Sequence, residues 1–237
     1  MSELDTLTKS YASKTDDYFH HSRLDQILPL LPSKCGRILE VGCGAGSTLV
    51  QLKSAGTCKW IGGVELFPSA AAEAACVLDY VQEGNIETLT LDIETASLDV
   101  VLCLDVLEHL VDPWETIRKL ARLLKPGGML VASLPNVRHV KVVLPLLMRG
   151  EWAYGSFGLL DKTHLRFFTR ATAIELIQTG GLRVDAIRPI GLDWTAAKRF
   201  VRAVTFGRFD DLLTFQYVLR GIKPIEDPQA NGHGRKV

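Results

Sequence analysis

Arg37-Ile38-Leu39-Glu40-Val41-Gly42-Cys43-Gly44-Ala45-Gly46 is the stretch that decides the fold of this 237-residue chain. A short apolar run ends in an acid, three glycines alternate with single residues, and Ser47-Thr48 open an apolar-periodic segment. That order reads as a β-strand, a glycine loop and a helix N-terminus. Glycine lets the backbone turn sharply and approach a ligand with no Cβ in the way. The helix behind it offers N–H groups that have no partner within the helix. The stretch is a cofactor loop of the nucleotide type.

Two well-known versions of such a loop do not match. The dinucleotide fingerprint needs G-x-G-x-x-G, whereas here the third glycine comes one residue early, at Gly46, and Ser47 stands where glycine is required. The phosphate loop needs a following Gly-Lys-Ser/Thr, which the sequence does not supply. Glu40 would repel a pyrophosphate but suits a ligand bearing an ammonium and a sulfonium. The run Glu40-x-Gly42-x-Gly44-x-Gly46 resembles motif I of the class I S-adenosylmethionine methyltransferases. The resemblance implies that Glu40, Gly42, Cys43, Gly44 and Gly46 hold S-adenosylmethionine, with S-adenosylhomocysteine as product. A nicotinamide dehydrogenase is the distant alternative, disfavoured by Ser47.

At this length one large α/β domain is the simplest count, and 47% hydrophobic content fits a globular chain with a substantial core. Lys+Arg and Asp+Glu balance at 27 each, so no global charge steers the molecule toward nucleic acid. The five cysteines (35, 43, 58, 76 and 103) are odd in number and scattered. They read as reduced thiols of a cytosolic protein. The N-terminus carries Glu3 and Asp5 and does not read as a signal peptide. No apolar run reaches the roughly 18 residues of a membrane span. The expected compartment is the cytoplasm, and no metal is expected.

Residues 1–35 are expected to form an N-terminal helical cap, helical from about Asp5, with an apolar helix from Leu24 to Leu31 stopped by Pro32. Tyr18, Phe19 and Arg23 either close over a bound ligand as a lid or anchor the cap to the core. A helix over Thr48–Ala55 and a strand over Trp60–Val64 follow. Glu65, with Leu66 beside it, ends that strand 25 residues after Glu40. A carboxylate there can accept from both hydroxyls of a ribose. A helix runs from Pro68 to about Leu78. The third strand has two readings: Tyr80–Gln82 with Asn85 and Ile86 at its tip, or Thr88–Leu91 with Asp92 at its tip. Spacing favours the first, since Asn85 lies 20 residues from both Glu65 and Asp105. Its carbonyl oxygen would accept from an adenine amino group, and Asp92 is the alternative.

Leu98–Leu104 is a near-continuous apolar run, the mark of a parallel strand covered on both faces. Carboxyl ends of such strands line the crevice of open α/β sheets, so Leu104, Asp105 and Val106 are expected at the cofactor. His109 either reaches the acceptor or packs as a capping histidine. A helix over Pro113–Leu124, a turn over Lys125–Gly128 and a strand over Met129–Leu134 come next. Residues 136–170 are too long for an ordinary connection and form a functional surface. Arg138, Trp152, Tyr154 and Arg166 are its candidate substrate residues. Aromatic faces pack on sugar rings and arginine grips phosphate, which suits a nucleotide-linked or lipid-linked sugar. An amphipathic lid on the sheet is the alternative. The basic, apolar segment around Val140–Met148 would also suit peripheral contact with a membrane surface, though Pro145 breaks it too early for an anchor. A helix over Thr172–Thr179, a strand over Arg183–Ile190, a basic helix over Trp194–Phe206, a strand over Leu212–Arg220 and a flexible tail over 224–237 complete the chain.

The resemblance covers roughly Tyr18 to Ile190. Within the class I methyltransferases the chain is similar to the ubiquinone-biosynthesis O-methyltransferases. It is closer still to bacterial methyltransferases found beside or fused to glycosyltransferases of surface-polysaccharide synthesis. Asp105–Pro113, Ser133–His139 and Leu160–Thr169 carry that likeness. It implies a Rossmann-like, doubly wound, seven-stranded mixed sheet over residues 36–223, with the last strand antiparallel. O-methylation needs in-line positioning, exclusion of water and a general base, for which histidine is suited at neutral pH. His164, in a Thr-His pair shared with the ubiquinone-type enzymes, is the first candidate and His109 the second, with Asp161 as orienting partner. A hinge role for Thr163-His164 is the alternative. The expected activity is methyl transfer to an oxygen of a sugar or other small polar metabolite, in surface-polysaccharide synthesis. A phenolic or quinone-like acceptor is the alternative, favoured if few of Arg138, Arg149 and Arg166 point into the pocket. A non-catalytic cofactor-binding partner of a glycosyltransferase is a third.

Overall fold

A computed structural model describes residues 19–191, 207 and 209–225. Seven strands form one sheet: β1 Arg37–Val41, β2 Trp60–Glu65, β3 Tyr80–Glu83, β4 Leu98–Leu104, β5 Leu124–Pro135, β6 Arg183–Ile190 and β7 Gln216–Ile222. Their order is β3-β2-β1-β4-β5-β7-β6. The first five pair in parallel, and β7 runs antiparallel between β5 and β6. This is the Rossmann-like mixed sheet expected from the sequence, antiparallel last strand included. The strand order reverses between β1 and β4, so their carboxyl ends frame a crevice. The helices are α1 Leu24–Ile27, α2 Ser47–Ser54, α3 Pro68–Ala75, α4 Pro113–Leu123, α5 Val140–Arg149, α6 Arg170–Gln178 and α7 Asp210–Leu213.

Alternation along β4 explains why its sequence is apolar throughout. Val101 and Cys103 pack on one face with Ile117 and Leu120 of α4 and Leu176 of α6. Val100 and Leu102 pack on the other with Ile27 of α1, Leu49 and Leu52 of α2 and Ala74 of α3. The central strands are buried on both sides, and their carboxyl ends frame the crevice.

Four local expectations change. The helix expected over Leu24–Leu31 is α only to Ile27 and then tightens into a 3₁₀ turn over Leu28–Leu30, because Pro29 has no N–H to donate. The helix from Pro68 stops at Ala75, as Leu78 turns inward against the glycine loop and Gly63. The turn expected at Lys125–Gly128 lies inside β5: Leu124 already pairs with Leu98, and a register shift absorbs the extra residues before Val100 meets Met129. The last strand starts at Gln216 rather than Leu212. The Asn136 amide donates to the carbonyls of Asp211 at 2.6 Å and Thr214 at 2.8 Å, which holds the chain curled in α7. Tyr18, the helix expected from Asp5, the helix over Trp194–Phe206 and the tail beyond Ile225 lie outside the described residues. No described helix is long and apolar enough to cross a membrane.

Candidate active site

A cavity of about 500 Å³ opens at the carboxyl ends of β1, β2 and β4, within the range of small-molecule sites. Its floor is the glycine loop. Gly42, Gly44 and Gly46 have φ of +70°, +53° and +86°, the left-handed region that glycine enters without steric cost. At Gly44 the requirement is doubled, since a Cβ would stand 2.5 Å from the Phe19 carbonyl oxygen. Ala45 N–H donates to that same carbonyl at 3.0 Å. Gly46 forms no part of the lining; it sits at the head of α2, where a Cβ would meet Leu78.

Two buried acids face the loop. Glu65, at the end of β2, accepts the Gly44 N–H on Oε2 at 2.8 Å and the Phe67 N–H on Oε1 at 2.9 Å. Glu40, at the end of β1, is 3% exposed, and its Oε2 has no hydrogen-bond partner among the described residues. Burial pushes the Glu40 carboxyl up to about 8, helped by the nearby Glu65 charge and opposed by Arg23. Burial also raises Glu65, against the pull of its backbone N–H partners. A buried acceptor with nothing to accept from is costly. Here it faces a cavity, so a cationic donor is the group that relieves it.

Asp105 follows β4 in a left-handed conformation, φ +57°, which is uncommon outside glycine. Its partners account for it. Its N–H donates to Ser133 Oγ at 2.9 Å, Ser133 Oγ donates to its Oδ1 at 2.7 Å, and the Gln216 amide donates to Oδ1 as well. Arg23 pairs with Oδ2. One carboxylate thus joins β4, β5, β7 and the N-terminal segment. That segment lines the cavity through Phe19, His21 and Arg23, the Arg23 N–H donates to Thr48 Oγ1 at 3.2 Å, and the Phe19 and Phe67 rings lie 5.5 Å apart.

The far wall carries Asn85 and Ile86, directly after β3. Asn85 Oδ1 accepts the Glu87 N–H at 2.9 Å, and Lys119 Nζ pins the turn by donating to the Ile86 carbonyl at 2.6 Å. Asp92 is exposed and outside the lining. Of the two readings of the third strand, the Tyr80 one is formed.

His109 lines the cavity at the end of a 3₁₀ turn, Leu107–His109. Its Nδ1 lies 3.1 Å from the Thr163 carbonyl oxygen and 3.1 Å from Thr163 Oγ1. His164 lies outside the lining, 9% exposed, with its ring edge-on to His109 at 4.8 Å between centroids. Asp161 is also buried outside the lining, 4% exposed. Glu108, His109 and His164 each bring one donor atom to within 4.8 Å of the others. One carboxylate and two imidazoles are a donor set that a divalent cation takes.

The residues expected at the acceptor do not converge here. Arg138 pairs with Asp211 at 3.2 Å. Arg166 donates its Nε to the Val111 carbonyl at 3.1 Å and lies 5.7 Å from the Trp114 ring centre. Trp152 packs edge-on against Phe167, and Tyr154 is 60% exposed. None of the four lines the cavity. Sequence reading missed Phe67, Glu87 and Leu110, which do. Glu87 holds the entry to α4 by accepting the Asp112 N–H at 2.7 Å, a tertiary role that no local motif announces.

Residues 13–187 match the family model described as Methyltransferase domain. Among curated relatives, the ubiquinone biosynthesis O-methyltransferase of Ralstonia nicotianae is 32% identical over 181 residues, covering 70% of this chain and 74% of the relative. The enzyme of the same description from Idiomarina loihiensis is 33% identical over 172 residues, covering 70% and 68%. Among solved structures, an S-adenosylmethionine-dependent methyltransferase from Archaeoglobus fulgidus superposes with a TM-score of 0.61 at 19% identity, covering 94% of this chain and all of that one. One from Mesorhizobium loti gives 0.59 at 15% identity, covering 88% and 98%.

Proposed function

From a chain that belongs to the methyltransferase-domain family and is an S-adenosylmethionine-dependent methyltransferase, we propose that the acceptor is a hydroxyl oxygen of a phenolic or quinone-like small molecule. The observation that carries this is where the basic side chains go. A nucleotide-linked or lipid-linked sugar presents phosphate, which calls for cations in the site. Arg138, Arg149 and Arg166 are engaged with Asp211, Glu151 and the Val111 carbonyl. The one arginine in the lining, Arg23, is neutralised by Asp105. Glu87, also in the lining, adds a carboxylate and not a cation. The ubiquinone-type relatives named above support the same acceptor class.

The cavity fits the cofactor. Glu40 would take its ammonium group, Glu65 its ribose hydroxyls and the turn at Asn85-Ile86 its adenine, with the glycine loop beneath. S-adenosylmethionine supplies an electrophilic methyl group on a sulfonium. The chain's own part is to orient, to exclude water and to remove a proton. Phe19, His21 and Arg23 close the mouth, which makes the N-terminal segment a lid. His109, the one histidine of the His109–His164 pair in the lining, accepts the hydroxyl proton. A peripheral membrane contact through α5 suits an apolar acceptor: Leu147 and Met148 there are 75% and 74% exposed, beside Arg149.

Labelled methyl transfer to a panel of catechols, phenols and nucleotide sugars tests the acceptor. Product from hydroxylated rings is expected, and product from nucleotide sugars alone would overturn the proposal. Arg138→Ala and Arg149→Ala are expected to leave kcat/KM within about twofold, because exposed ion pairs contribute little. A tenfold loss in either would return the site to an anionic acceptor. Arg23→Ala is expected to speed S-adenosylhomocysteine release by about tenfold, since losing one partner of a charge pair acts on dissociation. Stopped-flow displacement reads this, and an unchanged off-rate would show that the segment is an anchor and not a lid.

A further inference from the structure

We infer that Thr163, held by Asp161, is a positioning residue that fixes His109 with its hydrogen on Nδ1 and its lone pair on Nε2. The inference rests on the methyl-transfer reading of the site and adds to it the device that prepares the proton acceptor.

Hydrogen-bond direction carries the argument. A backbone carbonyl can only accept. The His109 Nδ1 lies 3.1 Å from the Thr163 carbonyl oxygen, so Nδ1 is the nitrogen that bears the proton. The second contact agrees. Thr163 Oγ1 donates to Asp161 Oδ1 at 2.8 Å, and the same Oδ1 accepts the Thr163 N–H at 2.9 Å. With its hydrogen committed to the carboxylate, the hydroxyl meets His109 Nδ1 through a lone pair, at 3.1 Å. Both groups facing Nδ1 are therefore acceptors, and the neutral ring carries its lone pair on Nε2.

The arrangement is rigid. Thr163 and Asp161 are 5% and 4% exposed, the His164 N–H donates to the Asp161 carbonyl at 2.9 Å, and the next two N–H groups, of Leu165 and Arg166, donate to the Glu108 carbonyl at 2.8 and 3.0 Å. The segment carrying Thr163 is thereby tied to the residue before His109. When His109 takes a proton, the new positive charge faces a chain of hydroxyl and carboxylate, which stabilises it. This is the role of an orienting acid behind a catalytic histidine, here with a threonine hydroxyl between the two. No local pattern shows it, because Thr163 and His109 are 54 residues apart.

The test uses the full chain. Thr163→Val keeps the shape and removes the hydroxyl; it is expected to lower kcat about tenfold while S-adenosylhomocysteine affinity stays within twofold. Thr163→Ser keeps the hydroxyl and is expected to restore kcat to within about twofold of the parent. Asp161→Asn keeps an accepting oxygen but removes the charge, and a similar tenfold loss is expected. Nitrogen-15 NMR of labelled histidine, with His109→Gln for assignment, should show His109 as the Nδ1–H form in the parent and a larger Nε2–H share in Thr163→Val, where the backbone carbonyl acts alone. An Nε2–H form in the parent overturns the inference, whether or not an acceptor has been found. Equal kcat in Thr163→Val and the parent also overturns it. So does activity lost to a chelator and restored by a divalent cation, which would assign His109 to a metal. If the NMR result holds and no acceptor of any class is methylated, it is the acceptor proposal that fails and not the tautomer.

Discussion

Glu65→Ala is expected to weaken S-adenosylhomocysteine binding by a hundredfold or more. Glu65 holds the Gly44 and Phe67 N–H groups on its two oxygens, so its removal strips two buried donors of their partner and loosens the loop under the cofactor. It also removes the proposed acceptor for the ribose. A hydrogen bond to a charged group contributes roughly 1.5–3 kcal/mol, and losing the bonds to both ribose hydroxyls makes a hundredfold change a lower bound, at about 1.4 kcal/mol per factor of ten. Glu65→Gln should be nearly as damaging. Both carboxylate oxygens accept from N–H groups, so a glutamine must turn its own NH₂ toward one of them. Isothermal titration reads both variants, and a Glu65→Ala protein that binds within fivefold of the parent would remove Glu65 from the cofactor site.

Cofactor affinity should rise with pH up to about 8 and fall above it, where the ligand's ammonium loses its proton. Burial and the neighbouring Glu65 push Glu40 up to about 8, so in the free protein it keeps its proton at neutral pH. A bound ammonium favours the ionised form, and binding at pH 7 is therefore expected to expel close to one proton. Below pH 8 the limiting slope is about tenfold in affinity per unit. Folding shows the opposite sign. The folded value lies above the ordinary 4.5, so this group's contribution to stability is full below about pH 4.5 and is lost as pH climbs toward 8. The loss is of the order of a few kcal/mol, and bound cofactor offsets it. Calorimetry in buffers of different ionisation enthalpy counts the protons. Because a ligand amino group titrates in the same range, Glu40→Gln is the control that must flatten the response. Proton release that is equal in the parent and in Glu40→Gln would show that Glu40 plays no part.

The half of the site built from consecutive residues was legible in the sequence. Glu40, Gly42, Cys43, Gly44, Glu65, Leu66, Asn85, Ile86, Leu104, Asp105 and Val106 all line the cavity, because each sits at the carboxyl end of a parallel strand and strand ends follow from apolar runs. Gly46 follows the same pattern but serves the start of α2 instead. The acceptor side was not legible. Arg138, Trp152, Tyr154 and Arg166 occur in a block rich in bases and rings, and composition cannot say which way a side chain points. Their directions are set by Asp211, Phe167 and the Val111 carbonyl, partners far away along the chain. The sequence favours His164 over His109 because it sits in a recognisable pair, yet it is His109 that lines the cavity. The membership of α7 in a curl and not in a strand depends on one buried amide, Asn136, donating across 75 and 78 residues.

The position of β7 has a consequence for how the protein is made. The last strand of the described chain lies between β5 and β6, and its first residue, Gln216, donates to Asp105 in the cavity wall. Among the described strands β7 is the last to be synthesised, so a nascent chain that has not reached it leaves β5 and β6 without their common neighbour and Asp105 without one of its donors. Synthesis that stops short of residue 216 leaves open sheet edges, which proteases and chaperones recognise, together with an unfinished cleft.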